Sequence, residues 1–448
     1  MGRNRAPLTG SFTARVDALN HEGWGVVRAG EGGKTTFVAG ALPGELVEYR
    51  VRKRERSHDE AELLQVLEPS AERIEPRCAH FGVCGGCSMQ HLSSAAQLRV
   101  KDEMLRETIR RIGKVEPREW LPPLAGEPWG YRRRARLGAR YVHARARSMV
   151  GFREKMSSFV ADIRQCPVLV APVGDLVEAL SELLTQLSIP TRIPQIEVAV
   201  GDNATVLVMR TLSPLSAEDR QRLREFGQRH ALHWLLQAGR PDQLEPLDGD
   251  APELWYELPE HDLRLKFLPA DFIQVNGPMN RQLIDQVIGH LQLDGASRVL
   301  DLFCGLGNFT LPLARTAGAV VGIEGDAGLI ERARQNALAN GLGNVRFEAG
   351  NLAGPEAAAR CLSLAGAASF THVLVDPPRT GALDLLPALA RLAPRRLVYV
   401  SCHPGSLARD LGILVAGHGF SLQAAGIVDM FPHTSHVESV AVLDGPGS

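Results

Sequence analysis

From about residue 271 to its end the chain repeats one rhythm: a short apolar run, a loop of small residues, then a helical stretch. RVLDLF (298–303), AVVGIE (319–324), VRFEAG (345–350), THVLVDPP (371–378) and RLVYVSC (396–402) are such runs, and VESVAVLD (437–444) closes the series. Runs that are apolar on both faces belong to strands covered by helices on both sides, the condition of a parallel sheet. The pattern predicts a doubly wound α/β domain over 271–448, in which ligands collect at the carboxyl ends of the strands. Every loop of chemical interest in this half lies at such an end.

In DLFCGLGNFT (301–310), Gly305 and Gly307 let the backbone bend sharply and approach a ligand, and a helix beginning near Asn308 aims its amides there. The third glycine of a dinucleotide fingerprint is missing, because position 310 is Thr310. Glu324 ends the next strand, where a carboxylate accepts hydrogen bonds from ribose hydroxyls. Asn351 follows VRFEAG and either meets the edge of an adenine or makes a turn. No lysine-bearing phosphate loop is evident, so S-adenosylmethionine is the expected cofactor.

DPPR (376–379) follows a buried strand, and the Pro377–Pro378 pair holds Asp376 and Arg379 at the mouth of the site. The related loop of amino-group methyltransferases ends in an aromatic residue; arginine here, with Cys402 one strand later, shifts the expected chemistry from an amine to a ring carbon. Carbon 5 of a pyrimidine becomes nucleophilic once a group adds at carbon 6, and a thiolate suits that addition. Cys402 is therefore the expected nucleophile. Glu438 is the expected base for the carbon 5 proton, against a purely structural role for a carboxylate entering a strand.

Read in order, DLFCGLGNFT, VGIE, DPPR, VYVSC and DMFPHTSHVE resemble the RNA uracil-5-methyltransferase family over most of the chain. The resemblance implies a class I, Rossmann-like methyltransferase domain with Cys402 as nucleophile and Glu438 as base. It further implies that Gln274, Phe303, Asn308, Glu324, Asn351 and Asp376 contact the cofactor. One departure is His403, where the family usually shows asparagine.

The N-terminal half has a different character. Residues 1–150 carry 26 Lys+Arg against 18 Asp+Glu, and the remainder 24 against 33, so a net charge of -1 conceals a basic half. That half is the place to seek a polyanion, or else a solvated basic surface. Residues 9–67 alternate apolar and polar positions between glycine turns, which predicts a small β-barrel of about five short strands, and the family resemblance implies an OB-like one. Its tip, RVRKRER (50–56), reads as an RNA contact or as an edge guarded against aggregation. The barrel resembles a TRAM domain. A mixed α/β central domain is expected over 75–270, with a helix over 93–113 built on Leu98, Leu105, Ile109 and Ile112, stopped by Gly113 and able to pack on the catalytic domain. In WGYRRRARLGAR (129–140), Arg132, Arg134 and Arg136 would share one strand face for RNA phosphates, with Trp129 and Tyr131 to stack on bases, unless that face is simply solvated.

Seven cysteines without a secretion signal point to reduced thiols or metal in a cytoplasmic protein. Cys78, Cys84 and Cys87 lie within ten residues, and Cys166 stands before a proline. Four thiolates hold zinc or a [4Fe–4S] cluster, and the spacing leans to iron; the family resemblance strengthens iron. Cys304 and Cys361 read as packing residues. Barrel and cluster together resemble the family branch that modifies 23S ribosomal RNA. The alternatives are the same chemistry on transfer RNA and a catalytically silent RNA-binding or ribosome-assembly factor. No run approaches the roughly 20 apolar residues of a membrane span, and a monomer is expected.

Overall fold

The computed structural model describes residues 10–28, 34–240, 243–354, 356–365 and 370–446. Thr9 and residues 29–33 of the expected barrel, and 447–448 of the last domain, lie outside the described residues. The chain forms two compact units: one from residues up to 104 with 152–161 and 431–436, the other from 105–151, 162–430 and 437 onward.

In the first unit six strands, rather than five, make one sheet: Phe12–Arg15, Leu46–Arg54, His58–Glu68, Thr35–Ala39, Gly25–Val27 and Ala18–Leu19, in that spatial order. Period-2 alternation in Leu46–Arg54 turns Val47, Tyr49 and Val51 inward onto Val16, Val27, Val38 and Ala61. Three register shifts interrupt its pairing with His58–Glu68, and such irregularities sharpen twist. Within the basic tip, Arg52 pairs with Glu62 at 2.7 Å and Lys53 with Glu55 at 2.6 Å.

The second unit holds the region least readable in sequence. A six-stranded sheet runs Glu245–Pro246, His233–Gln237, Thr205–Arg210, Gln195–Val200, Arg134–Val142, Arg147–Gly151, antiparallel except between Thr205–Arg210 and His233–Gln237. A hairpin, Leu254–Leu258 with Leu263–Phe267, follows.

The catalytic sheet comprises β1 (Arg298–Leu302), β2 (Ala319–Glu324), β3 (Val345–Ala349), β4 (His372–Val375), β5 (Arg396–Ser401), β6 (Ser421–Val428) and β7 (Glu438–Asp444). Their spatial order is β3-β2-β1-β4-β5-β7-β6, with Glu119–Trp120 added outside β6. β1 to β5 are parallel, and β7 enters antiparallel to both neighbours. β1, β4 and β5 are buried almost throughout, which explains their unbroken apolar character.

The helix expected over 93–113 is an α-helix over Ser94–Thr108 that widens into a π-turn over Ile109–Gly113. Its buried residues fall at 96, 97, 101, 105, 109 and 113, whereas Ile112 is exposed. Gly113 is therefore more than a stop: a Cβ there would lie 2.6 Å from the Ala408 carbonyl oxygen, and one on Gly412 would lie 2.6 Å from that of Gly113. Two missing side chains let this segment cross the helix Pro404–His418 at backbone contact. Gly412→Val should lower stability by about 1–3 kcal/mol in urea denaturation, because a backbone oxygen cannot rotate aside; an unchanged midpoint would contradict the crossing.

Candidate active site

The site is built at the carboxyl ends of β1, β2, β4 and β5. After β1 the chain turns back through Phe303, Gly305 and Gly307, with φ of 66°, 56° and 97°. The amides of Phe303 and Cys304 both donate to the Ile323 carbonyl, tying this turn to the end of β2. Glu324 is then held from two sides, accepting from Gly305 N at 3.2 Å and from Asp326 N at 3.1 Å. Asp326 caps the helix Ala327–Ala339 through the amides of Gly328 and Leu329. The helix after the glycine loop starts at Thr310 rather than near Asn308, and spans only Thr310–Ala314. Asn308 lies in the turn, where its amide exchanges hydrogen bonds with Asn280 at 2.8 and 2.9 Å and accepts from Tyr256 Oη at 2.9 Å.

Other expected cofactor residues border this region. Gln274 lines a small cleft with Tyr256, Ile273, Gly277 and Asn280. Asn351 is exposed after β3, and its Oδ1 accepts from Ala353 N at 3.0 Å within the turn. Asp301 was not singled out in sequence. It is fully buried in β1, accepts from Thr310 Oγ1 at 2.6 Å, and its Oδ1 has no hydrogen-bond partner among the described residues. Burial, with the nearby charges of Asp376 and Glu324, pushes its carboxyl up to about 7. An acid inside an otherwise apolar strand was the signal that could have found it. Backbone bends, a Glu324 carboxylate fixed by two amides and the buried Asp301 carboxyl suit a hydroxyl-bearing ligand with a positive centre better than a phosphate.

Cys402, Glu438 and Asp376 meet through strand register. Antiparallel pairing sets Ser401 opposite Ser439, so the next step of the ladder brings Cys402, just past β5, opposite Glu438, the first residue of β7. Asp376 ends the neighbouring strand, where Val375 pairs with Tyr399. The three acids act on one another. Burial, then Glu438 and Asp376, push the Cys402 thiol up to about 11, while Arg379 pulls it down. Burial and Asp376 hold Glu438 well above the usual carboxylate range. Desolvation by the surrounding walls raises the partly exposed Asp376 to about 7.

The loop bearing Asp376 and Arg379 is anchored by residues that sequence reasoning missed. Fully buried Asp410 accepts from Ala382 N at 2.8 Å and from Tyr399 Oη at 2.7 Å, and Arg409 donates to the Thr380 carbonyl at 2.8 Å. Gly381 sits against Asp410, where a Cβ would approach to 2.6 Å. Their only sequence signal is a polar residue on the buried side of an apolar helix. His403 caps that helix: its Nδ1 accepts from Ser406 N at 3.1 Å, the position an asparagine side chain also serves. The departure from the family pattern thus preserves the cap behind Cys402.

The arginines divide. Arg134 is half-buried and donates to the Pro269 carbonyl, so it faces inward. Arg132 precedes the strand and donates through Nε to the Arg134 carbonyl at 2.9 Å, and exposed Arg136 pairs with Glu197 at 3.1 Å. Of the three, Arg134 and Arg136 lie in the strand Arg134–Val142, and only Arg136 is exposed. Tyr131 is buried, which overturns its expected stacking on a base.

In the first unit Cys78, Cys84 and Cys87 are half-buried in one loop. It is fastened by Gly85 N to the Arg153 carbonyl and Lys155 N to the Val83 carbonyl, both 2.9 Å or less. The Lys155 ammonium is desolvated there beside Cys87 and Cys84. Cys166, in the second unit, is buried, as are Cys304 and Cys361. Among the described residues no three His, Cys, Asp or Glu side chains converge as a preformed metal site.

Sheet order and glycine loop define a class I methyltransferase domain. The family model described as tRNA (uracil-5-)-methyltransferase matches residues 204–445. A protein of Alkalilimnicola ehrlichii named 23S rRNA (uracil(1939)-C(5))-methyltransferase RlmD is 50% identical over 445 residues, covering 99% of each chain. One of the same name from Stenotrophomonas maltophilia is 47% identical over 446 residues, 99% of this chain and 100% of that one. The chain belongs to the tRNA (uracil-5-)-methyltransferase family. Its fold matches that of Pyrococcus abyssi tRNA (uracil-54, C5)-methyltransferase, solved with S-adenosyl-L-homocysteine, at a TM-score of 0.71 and 24% identity, covering 96% of this chain and 100% of that one.

The raised thiol sets a pH dependence independent of any substrate. Only the thiolate reacts, so alkylation of Cys402 by iodoacetamide, followed by peptide mass, should still climb about tenfold per pH unit near pH 9. Arg379→Ala should slow it at fixed pH, since a charge that favours the thiolate is gone. A plateau reached near neutral pH would contradict the mutual repulsion of the three acids.

Proposed function

We propose that this chain methylates carbon 5 of a uridine in 23S ribosomal RNA, with S-adenosylmethionine as methyl donor and a covalent link between Cys402 and carbon 6 of the base. The observation that carries the chemistry is the register that sets Cys402 opposite Glu438 beside Asp376. The choice of RNA rests on relatives near 50% identity over the whole chain. We place the activity in the cytoplasm, as a ribosomal substrate requires, and in a single copy of the chain, which supplies every group used below. No described helix is long and apolar enough to cross a membrane.

Phe303, Asn308, Glu324, Asn351, Gln274 and Asp376 are the residues we assign to the cofactor, with Asp301 behind them. S-adenosylmethionine, when bound, supplies the electrophilic methyl group that carbon 5 takes up. Cys402 adds to carbon 6 as the thiolate, and the electron pair of the 5,6 double bond moves toward the uracil carbonyl at position 4. Addition converts an anionic sulfur into a neutral thioether, which removes one of the charges opposing ionisation of Glu438. Glu438 then takes the carbon 5 proton, its high proton affinity suiting the task, and the sulfur leaves as the double bond returns. Arg379 favours the thiolate at the start.

For RNA we assign exposed Arg136 and half-buried Arg132, with Arg134 working inward. For the cysteines we infer a [4Fe–4S] cluster on Cys78, Cys84, Cys87 and Cys166. Its support is four thiol donors, the glycines at 82, 85 and 86, and Lys155 beside two of the cysteines, a cation that favours thiolates. No step of methyl transfer passes through it.

Assayed on 23S ribosomal RNA from cells lacking the enzyme, Cys402→Ala should lose methyl transfer entirely. Glu438→Gln is matched in size and neutral, so it should fold normally and accumulate an RNA adduct whose release is slowed about a hundredfold or more. Product release at the unmodified rate in Glu438→Gln would remove it as the base, and methylation of transfer RNA alone would overturn the substrate. Anaerobic purification should give brown protein with about four irons per chain; colourless protein holding zinc would overturn the cluster.

A further inference from the structure

The chain leaves the second unit after Met430, spends Phe431–His436 in the first, and returns one residue before Glu438. That excursion is held by polar groups on the buried face of the helix Ser94–Thr108, where sequence alone calls for apolar residues. Gln97 is 2% exposed; its Oε1 accepts from His433 N at 2.9 Å, and its Nε2 donates to the carbonyls of Met89 and Leu92 at 3.0 and 2.8 Å. One turn along, buried Lys101 donates to the Phe431 carbonyl at 3.0 Å. From the other side the amides of Ser88 and Met89 both donate to the His433 carbonyl at 2.9 Å, and Ser88 Oγ accepts from Ser435 N at 3.0 Å. His433 itself has φ 67°, a left-handed conformation that a side chain adopts only where its surroundings over-determine it.

We propose that Gln97 is a positioning residue for Glu438, acting through His433: it fixes the backbone from which the proposed base enters β7. Both peptide groups of a strained residue are bound, N–H by Gln97 and C=O by the amides that directly follow Cys87. Ordering of the cysteine loop and aim of the base therefore share one set of hydrogen bonds. This rests on the reading of Glu438 as the base. A fault in its aim has a specific signature, because Cys402 attacks before Glu438 acts: adduct formation is spared and adduct release is slowed. A residue that merely stabilised the fold would depress both together.

The test uses the full-length protein, 23S ribosomal RNA from cells lacking the enzyme, and S-adenosylmethionine, with the denaturant-resistant protein–RNA complex followed in time. Gln97→Leu, of similar size without hydrogen bonds, should form the complex within about twofold of the unmodified rate and release it about tenfold to a hundredfold more slowly. The milder Ser88→Ala should shift release in the same direction by a smaller factor, and it decides the matter where Gln97→Leu does not fold. Release at the unmodified rate, or formation and release falling in parallel, overturns the proposal. Absence of adduct and methylated product with the unmodified protein would instead sink the methyltransferase reading.

Discussion

Three acids crowd one poorly solvated pocket because strand register leaves them no other place. Antiparallel entry of β7 beside β5 brings a thiol and a carboxyl opposite one another, and parallel β4 delivers a second carboxyl alongside. Each raises the proton affinity of its neighbours, so the pocket resists carrying several negative charges at once. Charge can be present on sulfur or on Glu438 more easily than on both. In the mechanism we propose, covalent addition resolves the conflict, since it neutralises the sulfur at the stage when a free carboxylate is needed. The proposed nucleophile and base thus need not be ionised together.

Such an arrangement works only where the groups cannot move apart, and the chain spends many buried polar contacts on that end. Asp410 and Tyr399 fasten the far side of the Asp376 loop, and His403 caps the helix directly behind Cys402. Glu324 is held by amides from both flanking loops, and Asn308 by a reciprocal amide pair with Asn280. Gly113 and Gly412 allow a helix crossing too close for any side chain. Apart from Glu324 and Asn308, which we assign to the cofactor, none of these residues need touch a ligand; their effect is to fix backbone at the places where the proposed reacting groups emerge.

The parallel sheet was legible in sequence because strands buried on both faces read as continuous apolar runs, and Cys402, Glu324, Asp376 and Glu438 stood out as polar residues at their ends. Long-range partners were not legible: Gln97 meets His433 across 336 residues, and Asn280 meets Asn308 across 28. Nor can alternation along a strand say what covers a face. Arg134 and Tyr131 looked available to RNA, yet the chain around Pro269 takes up the first and the core the second. The helix over 94–108 was placed correctly by its apolar spacing, but the face was mistaken, because its buried stripe contains Gln97 and Lys101 and omits Ile112. Polar residues doing positional work disguise a buried face as a solvated one.

The central claim is that Cys402 carries the base while methyl transfer occurs. Fluorine in place of the carbon 5 hydrogen leaves Glu438 no proton to remove, so 23S ribosomal RNA containing 5-fluorouridine should trap the complex after methylation. Nuclease and protease digestion followed by mass spectrometry should return the peptide containing Cys402 bearing a methylated fluorouridine nucleotide. The nucleotide attached to any other residue, or methylated RNA released with no protein bound to it, would contradict the account.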